Sequence, residues 1–245
     1  MPKYSFRGVS PTIIEALEHE INKLIPINGY VHGQALPDRV EATSQAYMEK
    51  HPELEIFKQN PQFAKMMNIA AAVHDLGKLD VANSILLKRG KLTNEEFAEI
   101  KKHPEYGAER LKKIFQNFGN FSKEEMQLYV MCKNVILQHH EKGTGKGYPN
   151  NLTADSISLE AEIMAVEDSY DAMTINRGYN NPKSLEEAKE DLKSWGPAYN
   201  QEIVDIFIDL KQKELESFGK LNNKIVENPS NVQNSKIISL DDIEI

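Results

Sequence analysis

The sequence predicts an all-α protein. Apolar residues recur at helical spacing almost throughout, alternating runs long enough for strands are scarce, and helix-capping pairs precede several apolar segments. The length of 245 residues, 40% apolar and 27% charged, suits one globular domain with short extensions. We expect a helical extension over 1–30, a main domain over 31–219 and a polar, flexible C-terminal tail over 220–245.

The first half of the chain is expected to form three helices. Ser10-Pro11 opens the first, because proline is tolerated in a first turn, and Pro26 and Gly29 mark the break after it. The expected spans are 10–25, from near 37 to 50, and 61–73. The C-terminal end of the third helix then presents a His-Asp pair.

Further helix starts follow from Ser or Thr three residues before Glu, the spacing of a capping box. The pairs are Thr93 with Glu96, Ser122 with Glu125, and Ser184 with Glu187. A helix over 122–140 is expected to be mostly buried through Met126, Tyr129, Val130, Val135, Ile136 and Leu137. Other helices are expected from a Ser158 cap to Thr174 and, after a break at Trp195-Gly196-Pro197, over 200–218.

Charge and cysteine content exclude several classes of protein. A net charge of −8 argues against a nucleic-acid polymer as partner, since backbone binding needs a basic face. Cys132 is the single cysteine, which excludes an internal disulfide and indicates a half-buried packing residue. No apolar run approaches the ~20 residues of a membrane span and no secretory signal is seen, so the expected location is cytoplasmic.

Histidines and acids cluster near the expected helix ends, and together they suggest a metal centre. The groups are His74 with Asp75, His103 with Glu105, His139 with His140, and Glu167 with Asp168 and Asp171. Imidazole and carboxylate donors suit Fe, Mn, Zn, Co or Ni, and Asp75 could bridge two ions with its two oxygens. Each element also has an ordinary interpretation, such as a solvated helix end or a histidine pair that complements a helix dipole. Their joint occurrence in this order favours the metal site.

The segment after the histidine pair is a glycine-punctuated loop. Gly143, Gly145 and Gly147 permit backbone angles closed to other residues, and Pro149 fixes the exit. Tyr148 can pack or donate a hydrogen bond in the wall of a substrate pocket. The alternative is a plain surface turn with a packed tyrosine.

Four motifs in one order resemble the HD-GYP family of metal-dependent phosphohydrolases: HDLGK, KKHPEYG, HHEKGTGKGYP and VEDSYDAMTINRGY. The resemblance implies an HD-type helical bundle that hydrolyses cyclic dimeric GMP to pGpG or GMP with a metal-activated hydroxide. It implies a centre of two or three divalent ions, often iron or manganese, held by His74, Asp75, His103, His139, His140 and Asp168, with Asp75 as the bridge. By the same resemblance Lys78 acts near the scissile phosphate, and Arg177 and Tyr148 contact the substrate.

The chain departs from the family pattern at three places. Leu36 stands where the family has a histidine, so we consider His32, four residues earlier, as a replacement ligand. Gly143 and Thr144 replace an aromatic residue and an aspartate, and Asn180 replaces a basic residue. These departures leave two alternatives open: a weakly active or inactive cyclic-dinucleotide receptor that signals through protein contacts, or a phosphohydrolase for another cyclic dinucleotide. A homodimer or a signalling protein is the expected macromolecular partner.

Overall fold

A computed structural model describes residues 3–27, 35–88, 90–175 and 181–227, with only the backbone for 25–27 and 218–227. The described residues form α-helices joined by short turns, and they contain no strand. The helices are α1 (Pro11–Ile27), α2 (Ala35–Lys50), α3 (Glu55–Gln59), α4 (Phe63–Val73), α5 (Asn83–Leu86), α6 (Asn94–Ile100), α7 (His103–Gln116), α8 (Lys123–Gln138), α9 (Leu159–Thr174), α10 (Leu185–Ser194) and α11 (Gln201–Glu227). The predicted all-α class is confirmed.

The central element of the bundle is α4, which packs against α2 on one side and α8 on another. Its residues are apolar around most of the helix, and Phe63, Met66, Met67 and Ile69 are fully buried. A helix that is apolar on all faces belongs in a core, where each large side chain contributes on the order of 1.5–3 kcal/mol. The C-terminal end of α4 therefore presents the residues that follow it from inside the bundle.

The N-terminal residues share this core. Phe6, Val9, Ile13, Ile14 and Leu17 are buried in the same cluster as the side chains of α4 and α8. Helix α1 packs against α7 and against the 3-10 turn Leu76–Asp80 that follows α4. The segment expected as an extension is thus packed against the helices of the main domain.

The three predicted capping boxes are present at α6, α8 and α10, where each Ser or Thr side chain accepts the N3 backbone N–H. The predicted buried face of α8 is wrong in part. Met126 and Val130 are exposed, whereas Leu128, Met131, Cys132, Val135 and Ile136 face the core. Leu128, Cys132 and Val135 are spaced as one stripe of a helix with 3.6 residues per turn and belong to the core cluster, and α8 packs against α4, α7 and α9. Cys132 is fully buried rather than half-buried.

Two helix boundaries also differ from expectation. Helix α2 begins at Ala35, so Leu36 is helical and buried in the core despite the following Pro37. Proline is tolerated there because a first-turn N–H has no intrahelical acceptor, and burial of Leu36 outweighs the preference against helix before proline. Helix α11 runs to Glu227, so the first residues of the expected tail are helical; residues 228–245 lie outside the described residues.

Candidate metal centre

His74 and Asp75 follow α4 directly and are both buried. The His74 Nδ1 donates to the carbonyl of Ala71 at 2.6 Å, and because a carbonyl only accepts, this bond fixes the tautomer. The Nε2 atom then faces the carboxylates, 3.2 Å from Asp75 Oδ2 and 3.9 Å from Asp168 Oδ1. Metal-binding histidines are commonly oriented by such a second hydrogen bond.

His103 begins α7 and approaches Asp75 from the other side. Its Nδ1 donates to the carbonyl of Ile100 at 2.8 Å, and its Nε2 lies 3.4 Å from Asp75 Oδ1. The two glycines of the neighbouring motifs make this approach possible. A Cβ on Gly77 would lie 1.8 Å from the His103 carbonyl oxygen and 2.4 Å from the backbone nitrogen of Gly107. Glycine at 77 is therefore a packing requirement of the site.

The histidine pair directly follows α8. The Nδ1 of His139 donates to the carbonyl of Val135 at 2.8 Å, which turns its Nε2 to within 3.4 Å of His103 Nε2. The ring of His140 stacks on that of Tyr148 with centroids 4.6 Å apart. Its centroid lies 5.0 Å from that of His103.

These residues form two overlapping groups of potential ligands. His74, Asp75 and His139 make one group and His103, His139 and His140 the other, with the ligand atoms of each group within 4.8 Å of one another. The Asp75 carboxylate faces both, since Oδ2 is nearest to His74 and Oδ1 is nearest to His103. Asp75 Oδ1 is buried and accepts no hydrogen bond from the part of the chain that the structure describes. The donor set and this buried oxygen fit divalent cations.

The protonation states also favour a metal site over ordinary helix-end histidines. Burial lowers the pKa of His103 to about 3 and that of His139 to about 4, and it lowers the pKa of His140 well below the usual value. Neutral imidazoles offer lone pairs at neutral pH and cannot compensate a helix dipole as cations. Burial acts in the same direction on His74, but the charges of Asp75 and Asp168 outweigh it and raise the pKa of that residue.

Asp168 approaches the cluster from α9, and two neighbouring buried acids of α9 hold this helix against α2. Arg39 of α2 binds Glu167 at 3.1 Å and also Asp171, and the Thr43 hydroxyl donates to Glu167 at 2.7 Å. Asp171 therefore serves the packing of α9 on α2, while Asp168 faces His74. The sequence analysis did not identify Arg39 as the partner of these acids.

The glycine loop packs against the turn before α11. A Cβ on Gly143 would lie 2.3 Å from the carbonyl oxygen of Pro197, and the Gly143 N–H donates to Ala198 at 3.0 Å. A Cβ on Gly147 would lie 2.4 Å from the Cα of Glu141. Gly145 has a positive φ of 71°. The predicted need for special backbone angles thus applies to Gly145, whereas space is what requires glycine at 143 and 147.

Glu141 and Lys142 are contributors that sequence reasoning did not single out as site residues. The buried carboxylate of Glu141 accepts the N–H groups of Asn150 at 2.6 Å and Leu152 at 2.9 Å, which closes the loop. The Lys142 ammonium lies 4.1 Å from the Tyr199 ring centroid and donates to its hydroxyl. Burial lowers the pKa of Lys142 to about 8. The sequence signal that could have identified Glu141 and Lys142 is their position directly after the histidine pair.

The remaining candidates divide into those near the cluster and those outside the described residues. The Lys78 Nζ donates to Asp75 Oδ2 at 2.5 Å, and Tyr148 lies against His140, so a plain surface turn does not describe this loop. His32 and Arg177 lie outside the described residues, and their roles stay predictions.

Residues 37–199 match a family model described as an HD domain, a range that contains every member of the cluster. The chain belongs to the HD domain family. It is thus a metal-dependent type of domain, with His and Asp clusters that could hold the metal. No helix in the described part of the chain is long and apolar enough to cross a membrane.

Curated relatives support the more specific resemblance. A cyclic di-GMP phosphodiesterase of Thermotoga maritima is 37% identical over 62% of this chain and 39% of its own length. One of Vibrio cholerae is 34% identical over 62% of this chain and 30% of its own length. A 3'3'-cGAMP-specific phosphodiesterase 2 of Vibrio cholerae is 34% identical over 60% of this chain and 26% of its own length. The chain spans well under half the length of these relatives, and the matches confirm the resemblance to the HD-GYP family.

Proposed function

We propose that this chain hydrolyses a phosphodiester bond of cyclic dimeric GMP and releases pGpG, GMP or both. The observation that carries the proposal is the Asp75 carboxylate, which lies between two histidine groups, with Lys78 on one of its oxygens. Relatives whose names describe cyclic di-GMP phosphodiesterases support the choice of substrate.

The proposed centre contains two or three divalent ions, iron or manganese, held by His74, Asp75, His103, His139, His140 and Asp168. Nitrogen and carboxylate donors in this proportion suit those ions. When bound, such ions polarise a phosphate oxygen and lower the pKa of a coordinated water. Asp75 is proposed as the bridge, because its two oxygens face the two ligand groups.

The protein's own groups would orient and neutralise the substrate. Lys78 sits on Asp75 at 2.5 Å, where an ammonium can both hold the carboxylate and offset charge that develops on the phosphate. Tyr148 forms a wall beside His140. Arg177 is proposed to grip a phosphate bidentately, and His32 to replace the ligand missing at Leu36.

A second substrate is favoured by one comparison. The relative named as 3'3'-cGAMP-specific matches almost as closely as those named for cyclic di-GMP. Parallel assays of the two cyclic dinucleotides decide between them. The cytoplasmic location stays a prediction that cell fractionation would test. The homodimer or signalling partner also stays a prediction, and measurement of the oligomeric state would test the homodimer.

The test combines metal analysis with turnover. Protein loaded with Fe(II) or Mn(II) under reducing conditions is expected to contain at least two ions per chain and to consume cyclic di-GMP. Asp75→Asn should lower turnover by about a hundredfold or more and reduce metal content, since it removes the proposed bridge. Asp80→Asn is the control. Asp80 ends the 3-10 turn that follows Asp75, but it binds Arg110 of α7 and not the cluster.

Two results would overturn the proposal. Tight binding of cyclic di-GMP by metal-loaded protein without turnover would make the chain a receptor. Normal metal content and activity in Asp75→Asn would contradict the bridging role.

A further inference from the structure

Lys101 lies at the edge of the metal centre, on the turn between α6 and α7 and two residues before His103. It is half-buried. Its Nζ lies 5.2 Å from the ring centroid of Phe97 and 5.1 Å from that of Tyr148. The ammonium is therefore held by two aromatic rings, one of which belongs to the glycine loop.

Among the described residues, no acid balances the charge of Lys101. In the described ranges of the chain it makes no ion pair, whereas the adjacent Lys102 binds Glu99 at 2.6 Å and Lys78 binds Asp75. Ring faces attract a cation but leave its N–H donors without an anionic acceptor. Lys101 is thus a positioned cation that can still bind an anion.

Lys101 lies close to the ligand cluster, on the side of Tyr148. Tyr148 stacks on His140 at 4.6 Å and has the Lys101 Nζ 5.1 Å from its centroid, so that ammonium lies within about 10 Å of the His140 ring. The Tyr148 ring contacts both groups, so Lys101 is beside the ligand cluster without being part of it. One small ligand with two phosphates could therefore place one of them at the cluster and the other at Lys101.

We propose that Lys101 binds the second, non-scissile phosphate of the cyclic dinucleotide. A cyclic dinucleotide carries two phosphates on one macrocycle, and the centre with Lys78 accounts for one of them. Phe97, with 49% of its surface exposed, offers an apolar face beside this anchor for a ribose or base. The inference rests on the proposed function and supplies a phosphate contact in a chain that has Asn180 where its family has a basic residue.

The experiment compares two neighbouring lysines. Lys101→Met is expected to raise KM for cyclic di-GMP about tenfold with little change in kcat, since a charged hydrogen bond to phosphate is lost. Lys102→Met should behave like the wild type, because Lys102 is engaged by Glu99 on the surface. Lys101→Arg should keep KM within about threefold, because a guanidinium also binds phosphate.

A substrate with one phosphate separates binding from damage to the site. Hydrolysis of bis(p-nitrophenyl) phosphate, and metal content, are expected to be the same in Lys101→Met and the wild type. An equal loss on both substrates would overturn the inference, because Lys101 would then act through His103. Equal KM values for cyclic di-GMP in Lys101→Met and Lys102→Met would also overturn it.

Failure of the proposed function gives a different pattern. If the wild type binds cyclic di-GMP but does not hydrolyse it, calorimetry on the metal-loaded variants still tests the role of Lys101. Binding of cyclic di-GMP that is about tenfold weaker in Lys101→Met alone supports the phosphate contact. Equal affinities in Lys101→Met and Lys102→Met overturn it. A wild type that neither binds nor hydrolyses cyclic di-GMP overturns both proposals.

Discussion

Arg39→Met is expected to destabilise the protein more than the loss of any surface ion pair. Arg39 is the cation between two acids of α9, and the side chains of Glu167 and Asp171 are 0% and 3% exposed. Removal of one partner from a buried pair leaves charge without compensation, which costs about 3–5 kcal/mol. For a chain of this size that corresponds to a fall in Tm of roughly 6–20 °C. Methionine keeps an unbranched apolar stem in place of the arginine stem, so most of the loss comes from the missing charge.

The assay is urea unfolding followed by circular dichroism, on metal-free protein. Arg110→Met is the matched control, because Arg110 binds Asp80 and Glu20 with side chains that are 29%, 40% and 14% exposed. Partly solvated pairs of this kind contribute about 0–1 kcal/mol. Metal affinity should also fall in Arg39→Met alone, since α9 carries Asp168. Equal stability losses in the two variants would refute the reasoning.

The other predictions concern the glycine loop and the buried thiol. Gly143→Ala is expected to destabilise the protein by about 1–3 kcal/mol in urea unfolding, because the added methyl would overlap the Pro197 carbonyl, while Thr144→Ala at an exposed site should stay within about 0.5 kcal/mol. Equal values for the two would contradict the close packing. Burial raises the pKa of Cys132 to about 12, so roughly one thiol in ten thousand is ionised at pH 8. Ellman's reagent should therefore label Cys132 in urea but not in the native protein, and rapid native labelling would contradict its position in the core.

Local signals were sufficient for much of the fold. The capping pairs at Thr93, Ser122 and Ser184 predicted three helix starts correctly, because a capping box is satisfied by neighbours in the chain. The buried face of α8 was predicted less well. Its sequence offers apolar residues on more than one side, so the placement of Met126 and Val130 depended on which side meets α4 and α7.

The sequence by itself determined the helical class and the identity of the candidate ligands, because spacing and donor chemistry are carried by the residues themselves. Only the tertiary structure decided that His74, His103 and His139 turn their Nε2 atoms toward one carboxylate, since backbone carbonyls on three separate segments fix the rings. It also decided that Gly143 is required by the approach of Pro197, a contact between residues far apart in the chain. Such contacts depend on how helices pack, and no local pattern records them.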